Sequence, residues 1–333
     1  MPNPKVSIIV PNYNHAKFLT ERLESVFDQT FQDFEVILLD DCSIDNSLEV
    51  LSSYKDHEKV SHFKVNKKNS GSVFKQWIKG IQLAKGEFIW IAESDDIANI
   101  NFLNYCIEHF KNEDEHLAVF CPSIEVDEDG SKTGRILGPI QKQTGFKIKG
   151  KRLVAENLVR NLVIGNASGV LFRKNAFKYV DFNILANFSN TGDRYTYIQL
   201  ALNGSIYFLN EELNYYRNHQ NNTTKKNNIN NKIFFDRAFI LEYLIPVFSD
   251  DKVARQFLME FYFKSIFKYI YVLPLKLNQK IIKSFFSNNY YSLCIRNKIL
   301  VYNFLLVLFK VNKPHFLRVY YKKMINNKLN IQI

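Results

Sequence analysis

The stretch EFIWIAESDD, residues 87–96, joins a run of apolar residues directly to a cluster of carboxylates. The apolar part has the length of one buried strand, and Glu93, Asp95 and Asp96 follow it within four residues. Neighbouring carboxylates repel each other and raise one pKa unless a cation neutralises them. We therefore predict that these acids meet a divalent metal at the carboxyl end of a central strand.

The residues on either side of this stretch alternate between apolar strands and amphipathic helices. Strands are predicted at KVSIIV, FEVILLD, VSHFKV, EFIWIA and LAVFCP. Helices are predicted at HAKFLTERLESVFDQT, at SIDNSLEVLSSY with Ser43 as its N-cap, at GSVFKQWIKGIQLAKG and from residue 99 to about 110. This alternation is typical of an α/β fold with a parallel sheet and helices on both faces.

Ligands of such sheets bind at the carboxyl edge of the strands. Three polar segments are expected to converge there, PNYN at residues 11–14, DDCS at 40–43 and ESDD at 93–96. Mg²⁺ or Mn²⁺ held by one or two carboxylates usually completes its shell with substrate phosphates, so a nucleotide diphosphate is the expected partner. The alternative is that the acids only complement the dipole of a following helix. Neither a GxGxxG nor a P-loop motif is present.

The remaining chain is expected to contain an irregular polar loop from Val126 to about Gly150 and then more helices and strands. Helices are predicted at KRLVAENLVRNLV and TGDRYTYIQLALNG, a strand at NASGVLFRK, and a hairpin-like pair at SIYFLN and LNYYRNHQ. The expected organisation is a catalytic domain at residues 1–220, an Asn-rich linker at 221–232 and a helical region at 233–333.

The charge of the chain is concentrated in that helical region. Of the 44 Lys and Arg, thirteen lie in residues 261–333, which contain no Asp or Glu, so the first 260 residues carry 31 basic and 33 acidic groups. The same segment holds sixteen Phe and Tyr. Basic, aromatic helices bind anionic membrane surfaces, and the alternative is that they pack on the catalytic core or on a second copy of the chain. Nucleic-acid binding is not expected, since no recognised motif accompanies the charge.

Other sequence features argue against an integral membrane or disulfide-bonded protein. No signal peptide is recognised, and the longest mostly apolar run, residues 299–309, is shorter than the roughly 18 to 20 residues that span a bilayer. The four cysteines are scattered and are expected to be buried thiols in a reducing cytoplasm. The predicted location is therefore the cytoplasm, peripheral to the inner face of the cell membrane.

The residues that follow the predicted strands resemble the family-2 glycosyltransferases with the GT-A fold. The resemblance is carried by VSIIVPNYN, SVFDQT, VILLDDCSID, GIQLAKGEFIWIAESDD and, more loosely, YRNHQNN. It covers residues 4 to about 120 closely and continues to about 220. It implies an inverting transfer of a sugar from a nucleotide-diphosphate sugar, with UDP favoured, to a hydroxyl of a glycan or lipid-linked glycan of a surface polysaccharide such as an O-antigen.

The resemblance also implies roles for individual residues around the donor nucleotide. The nucleotide would be bound by Pro11, Asn12, Tyr13, Asp40, Asp41, Lys75 and Asp95. Pro11 and Tyr13 would frame the base, Asp41 would accept from the ring N–H, and Asp95 would contact the ribose. The metal would be held by Asp96 and Glu93, with His219 as a further ligand. The other six histidines are expected to be surface or packing residues.

Catalysis is assigned by the resemblance to the second half of the domain. Asp193 in NTGDRYTY would act as the base that takes the proton of the acceptor hydroxyl; the alternative is a simple helix-capping role. The donor sugar or acceptor would be contacted by Asn166, Ser168, Arg173 and Arg217. Two other functions stay open from the residues alone, a metal-dependent nucleotidyltransferase and a non-enzymatic basic scaffold or membrane protein.

Overall fold

The apolar runs of the first 120 residues form the strands of one large sheet. The computed structural model describes residues 3–111, 115–139, 145–220, 222 and 232–261. The strands are β1 Val6–Asn12, β2 Phe34–Asp40, β3 Val60–Val65, β4 Phe88–Ile91, β5 Ile97–Ala98, β6 His116–Phe120, β7 Ser123–Val126, β8 Lys132–Leu137, β9 Phe146–Ile148, β10 Val170–Arg173, β11 Ser205–Phe208 and β12 Asn214–Arg217.

Helices cover both faces of this sheet. The α-helices are α1 Ala16–Phe27, α2 Ser47–Tyr54, α3 Val73–Leu83, α4 Phe102–Glu108, α5 Gly150–Val154, α6 Phe182–Leu185, α7 Gly192–Asn203, α8 Lys232–Val247 and α9 Lys252–Phe261. A π-helical turn, Ala155–Arg160, continues α5. No helix within the described ranges is long and apolar enough to span a membrane.

The large sheet has the strand order β3-β2-β1-β4-β10-β6-β11-β9. Strands β3, β2, β1 and β4 are parallel, which confirms the predicted α/β class for this half. Asn12 pairs with Asp40 where β1 and β2 end, so the segments that follow these strands leave from the same edge. Strand β10 runs antiparallel to both β4 and β6, which makes the sheet mixed.

Successive residues of the central strands face opposite cores, as expected for strands buried on both faces. In β1, Ile9 belongs to the core beneath α3 and α7, whereas Ile8 and Val10 belong to the core beneath α1 and α4. Helix α3 approaches the sheet closely at Gly80, where an added Cβ would lie 2.4 Å from the Ile9 side chain. The sheet is thus held rigidly from both sides.

Two of the expected local features differ in the structure. The segment predicted as an irregular loop contains β8 and β9, of which β8 pairs antiparallel with β7 in a second sheet of order β5-β12-β7-β8. The residues of β8 are mostly exposed, so this strand lacks the alternation of apolar and polar residues from which a strand is predicted. The predicted hairpin is wrong, because β11 pairs with β6 and β9 whereas β12 pairs with β5 and β7.

The helices after the Asn-rich segment pack on the same core as the sheet. Ile233, Ala238, Leu241 and Leu244 of α8 are buried together with side chains of β1 and α7. The first 29 residues of the predicted C-terminal helical region, 233–261, therefore share a core with the large sheet. Residues 262–333, on which the membrane prediction depends, lie outside the described residues.

Candidate active site

The ends of β1 and β2 form one wall of a crevice at the carboxyl edge of the sheet. The buried Asp40 carboxylate accepts hydrogen bonds from Asn12 Nδ2 at 2.9 Å and from the backbone N and Oγ of Ser43 at 2.9 and 2.6 Å. Ser43 therefore anchors the end of β2 and does not cap α2, whose N-cap position is Asn46. Pro11 is buried in β1, and the ring of Tyr13 is 43% exposed beside it.

Asp41 is held by the segment that leads into α3. Its carboxylate accepts hydrogen bonds from Asn66 Nδ2 at 2.6 Å, from the backbone N and Oγ of Ser70 and from Gln76 Nε2 at 2.9 Å. The role of Asp41 as acceptor of the base N–H stays a prediction. Lys75, predicted to contact the nucleotide, is exposed and donates to the Ser70 carbonyl.

The acid loop, residues 93–96, turns its last carboxylate inward. Asp96 Oδ2 accepts hydrogen bonds from Asn166 Nδ2 at 3.0 Å and Ser168 Oγ at 2.6 Å, and Oδ1 accepts from the backbone N of Arg217 at 3.1 Å. Burial, together with the charge of Asp95, raises the pKa of Asp96 to about 7. Asn166 and Ser168 are both buried, and their predicted contact with the sugar stays a prediction.

Asp95 points the other way, towards two histidines. Its Oδ2 lies 2.9 Å from His219 Nε2 and 3.9 Å from His15 Nε2. His15 is oriented by a 2.8 Å hydrogen bond between its Nδ1 and Ser94 Oγ. Burial alone would raise the pKa of Asp95, but His15 and His219 lower it below its ordinary value.

These three residues form a group that can hold a metal. Ligand atoms of His15, Asp95 and His219 all lie within 4.8 Å of one another. Neither Asp96 nor Glu93 belongs to this group, which favours Asp95 over both of the predicted carboxylate ligands. Asp96 is instead turned inward by its hydrogen bonds to Asn166, Ser168 and the backbone N of Arg217.

Glu93 and Asp193 are close enough for their charges to interact. Glu93 follows β4, and its backbone N donates to Ser168 Oγ at 3.1 Å. Burial and the charges of Asp96, Asp95 and Asp193 raise the pKa of Glu93 well above its ordinary value. Asp193 lies in the first turn of α7, and its pKa is raised to about 6, chiefly by burial. The predicted base is thus partly buried near the acid loop.

A buried arginine lies behind the acid loop on the apolar face of α1. The Arg22 side chain has no exposed surface, and its guanidinium lies over the Trp90 ring with 4.9 Å between the guanidinium carbon and the ring centroid. Its three nitrogens have no hydrogen-bond partner among the described residues. Burial lowers the pKa of Arg22 to about 10, while the charges of Asp96, Asp95 and Glu93 oppose that shift. Arg22 thus supplies an internal positive charge to the cluster.

Arg217 fixes the position of the acid loop from β12. Its Nε donates to the Asp95 carbonyl at 3.0 Å, Nη1 donates to the carbonyls of Asp127 and Glu128, and Nη2 forms an ion pair with Glu21. The guanidinium is therefore used by the protein itself. This position suits a residue that orients the loop, and the predicted contact of Arg217 with sugar or acceptor stays a prediction.

Arg173 lies at the opposite edge of the sheet. It pairs in register with Phe88, at the beginning of β4, and its side chain contacts Glu87 and the His116 carbonyl. Five residues of extended chain separate Phe88 from Glu93, a distance of roughly 16 Å. Because β10 runs antiparallel to β4, its last residue lies at the amino edge of the sheet, and the predicted contact of Arg173 with the acceptor stays a prediction.

The sequence interpretation missed His15 and Arg22. His15 follows PNYN directly, so its position after the first strand end was the available signal, but it was expected to be a surface or packing residue. Arg22 lies on the same helical face as Leu19 and Val26. A charged residue at a core position of a helix is unusual, and this signal could have identified Arg22 from the sequence.

Comparisons with known proteins agree with this arrangement of strands and acids. A sequence model of the family described as glycosyl transferase family 2 matches residues 7–181. The chain belongs to this family. It is therefore a glycosyltransferase, which favours the interpretation above over the nucleotidyltransferase and scaffold alternatives.

Two relatives indicate how far the similarity extends along the chain. The chain is 26% identical over 226 residues to a protein named glycosyltransferase GlyG from Streptococcus pneumoniae, covering 64% of this chain and 70% of that protein. It is 39% identical over 99 residues to the poly(ribitol-phosphate) beta-N-acetylglucosaminyltransferase TarS of Staphylococcus aureus. That second match covers 28% of this chain and only 17% of TarS.

Solved structures share the GT-A fold with this chain. Residues 1–349 of TarS from S. aureus, in complex with UDP-GlcNAc, align with a TM-score of 0.59 at 22% identity, covering 84% of this chain and 79% of that one. A mannosyltransferase from Pyrobaculum calidifontis, in complex with GDP-Man and Mn²⁺, aligns with a TM-score of 0.50 at 13% identity, covering 92% and 81%. The predicted fold class is confirmed.

Proposed function

We propose that this glycosyltransferase transfers a sugar, with inversion, from a UDP-sugar to a hydroxyl of a surface glycan or of its lipid-linked precursor. The observation that best supports the proposal is that Asp193, in the first turn of α7, is close enough to Glu93 of the acid loop for their charges to interact. Nucleotide ligands of α/β sheets bind at the carboxyl edge of the parallel strands. The relatives with UDP-GlcNAc and poly(ribitol-phosphate) in their names support the donor and the acceptor class.

The nucleotide is proposed to lie against the wall built by β1 and β2. The exposed ring of Tyr13 offers a stacking surface for a planar base, with the buried Pro11 beneath it. Asn12, Asp40 and Asp41 keep this wall in place through the hydrogen bonds among themselves and with the segment before α3. Lys75 remains a candidate for a phosphate contact because its ammonium group is at the surface.

The residues present fit a divalent metal. Asp95, His15 and His219 offer one oxygen and two nitrogen ligands within reach of one ion. Mg²⁺ prefers oxygen ligands throughout, whereas imidazole nitrogens suit transition metals, so this donor set favours Mn²⁺ over Mg²⁺. When bound, the ion would neutralise charge on the leaving diphosphate. Asp96 and Arg217 would hold the loop that carries Asp95.

Asp193 is proposed as the general base. A carboxylate with a pKa of about 6 is mostly ionised near neutral pH and still basic enough to accept the proton of a hydroxyl as that oxygen attacks. The new bond forms between the acceptor oxygen and C1 of the sugar. The bond between C1 and the diphosphate oxygen breaks on the opposite face, and the nucleoside diphosphate leaves. The proton of the hydroxyl ends on Asp193.

Calorimetric titration tests the donor and the metal together. UDP, GDP and CMP are titrated into the protein with and without Mn²⁺, and UDP is expected to bind tightest and only weakly without the metal. The same titrations are repeated with Asp193→Asn, which is expected to bind UDP normally while sugar transfer falls by about 10² to 10⁴ fold. Binding of UDP that ignores Mn²⁺ would contradict the metal proposal, and an active Asp193→Asn variant would contradict the base.

The catalytic unit is proposed to extend to residue 261. Helices α8 and α9 share a core with the sheet, so the boundary expected near residue 220 does not separate two independent packing units. The peripheral attachment of residues 262–333 to an anionic membrane remains a proposal. Its test is co-sedimentation of the full chain with vesicles that contain or lack phosphatidylserine.

A further inference from the structure

A loop beside the proposed base is held by a helix from beyond the Asn-rich segment. The base loop, residues 188–191, directly precedes α7 and leads into Asp193. The buried Asp236 of α8 points its carboxylate at this loop. Its Oδ2 accepts hydrogen bonds from the backbone N of Ser189 at 3.1 Å, Asn190 at 2.6 Å and Thr191 at 3.0 Å.

Three successive backbone N–H groups bound to one carboxylate fix the path of the chain. Consecutive N–H groups that converge on one anion occur only where the backbone curves around it, so the carboxylate selects one loop conformation. Thr191 is also the residue whose carbonyl accepts from the Tyr195 backbone N as α7 begins. The first turn of α7 carries Asp193, and its position therefore depends on the loop to which Asp236 is hydrogen-bonded.

Aromatic contacts from the same face of α8 hold the loop and α7 together. Phe239 contacts Phe188 with ring centroids 5.5 Å apart, and Tyr243 contacts Tyr195 at 5.8 Å. Asp236, Phe239 and Tyr243 are spaced i, i+3 and i+7, which places them on one helical face. From the other side, Ser72 Oγ donates to the Phe188 carbonyl at 2.9 Å.

We propose that Asp236 is a positioning residue for the transfer reaction, which fixes the base loop so that the Asp193 carboxylate faces the acceptor hydroxyl. This proposal rests on the function proposed above for Asp193. Asp236 touches neither donor nor acceptor in this scheme. Its effect is confined to the reaction step, since the donor nucleotide binds to the walls formed by β1, β2 and the acid loop.

The test compares Asp236→Ala, Asp236→Asn and the control Asp251→Ala. Asp251 directly precedes α9, where its carboxylate accepts a hydrogen bond from the Ala254 backbone N at 2.8 Å, and it has no hydrogen bond to the base loop among the described residues. Asp236→Ala is expected to lower kcat at least tenfold while the KM for the donor and the calorimetric affinity for UDP stay within twofold. Asp236→Asn keeps an oxygen acceptor and is expected to recover part of that loss.

Hydrogen exchange provides a readout that does not depend on activity. The amides of residues 189–191 are expected to exchange at least tenfold faster in Asp236→Ala than in the wild-type protein or in Asp251→Ala. If Asp236→Ala does not fold, Asp236→Asn carries the same comparison with smaller effects. The proposal is overturned if both Asp236 variants keep kcat within twofold while Asp193→Asn is inactive, or if the base-loop amides stay equally protected. An active Asp193→Asn variant would instead contradict the proposed function.

Discussion

Adjacent aspartates in the acid loop have opposite environments. Asp96 is enclosed by three donors from distant parts of the chain, and its pKa is raised to about 7. Asp95, one residue earlier, faces two imidazoles, which lower its pKa. Asp96 therefore stabilises the loop, whereas the neighbouring Asp95 is available for a ligand.

Substituting each aspartate by asparagine separates these two roles. Asp96→Asn places an NH₂ group against donors that need an acceptor, so we expect a loss of roughly 1 to 3 kcal/mol in the free energy of unfolding, measured by urea denaturation. Asp95→Asn is expected to keep the wild-type stability but to lose Mn²⁺-dependent UDP affinity by at least tenfold. If Asp95→Asn retains that affinity and Asp96→Asn loses it, the ligand assignment is reversed.

Arg22 is the internal counter-charge of the same cluster. Replacing it with Met keeps the packing on Trp90 but removes the positive charge that opposes the repulsion among Asp96, Asp95 and Glu93. We expect Arg22→Met to lower the Tm clearly at pH 8, where Asp95 and Asp96 are ionised, and to leave it unchanged or higher at pH 5.5. Thermal denaturation at both pH values measures this difference, and an equal loss at both would show that only packing matters.

At the scale of elements, strand direction decides which residues reach the crevice. Strands β1, β2 and β4 are parallel and deliver their following residues to one edge. Strand β10 is antiparallel, so its first residues, close to Ser168, meet the acid loop and its last residue, Arg173, lies at the far edge. A residue that follows a strand in the sequence can thus lie at the edge of the sheet opposite the acid loop.

Arg173→Ala tests this consequence of strand direction. The side chain packs against the rings of Phe88 and Phe110 and bonds to the His116 carbonyl, so its removal is expected to cost about 1 to 2 kcal/mol of stability. Donor KM and kcat are expected to remain within twofold of wild type, measured on folded protein. A selective rise in the acceptor KM without a stability change would support the original assignment.

At the scale of the whole molecule, charges from several elements share one low-dielectric crevice. Asp96 after β4 and Asp193 on α7 both have a pKa raised from an ordinary value of 3.8, to about 7 and about 6. The folded state therefore binds protons more tightly than the unfolded chain between about pH 4 and pH 7. Stability contributed by these groups is present at low pH and is lost as the pH rises through that window.

The expected outcome is a Tm of the metal-free protein that decreases by a few degrees between pH 5.5 and pH 7.5. Glu35 and Asp45 have a lowered pKa, so the stability that they contribute is lost only as the pH falls through that lowered value. They therefore do not change the Tm between pH 5.5 and pH 7.5. Mn²⁺ is expected to raise the Tm more at pH 7.5 than at pH 5.5, since protons compete with the metal for its ligands. Differential scanning calorimetry measures both effects, and a Tm that rises with pH would contradict them.

The same ionisation sets the pH dependence of catalysis. If Asp193 must be ionised to accept the hydroxyl proton, kcat should fall about tenfold per pH unit below about pH 6. Initial rates measured at saturating donor and Mn²⁺ from pH 5 to pH 8 give this profile. A flat profile through pH 6 would mean that another step limits the rate or that Asp193 is not the base.

The α/β class, the central strands and the edge at which the acid loop leaves the sheet were all predictable from the amino-acid sequence. These features depend on short-range periodicity, because alternation and apolar run length report burial within a few residues. The strand in SIIVPNYN and the position of the acids after the strand EFIWIA could therefore be predicted from the sequence. The family followed from the order of such segments along the chain.

The side chains that line the proposed metal and nucleotide site could be identified only from the folded chain. The partners of Asp96 come from 70, 72 and 121 residues away, and the imidazoles of His15 and His219 reach Asp95 from two different elements. Asp236 bonds to the base loop from 45 to 47 residues along the chain. The direction of a side chain in a loop is set by hydrogen bonds and charges that converge only after folding, so no local pattern in the sequence records it.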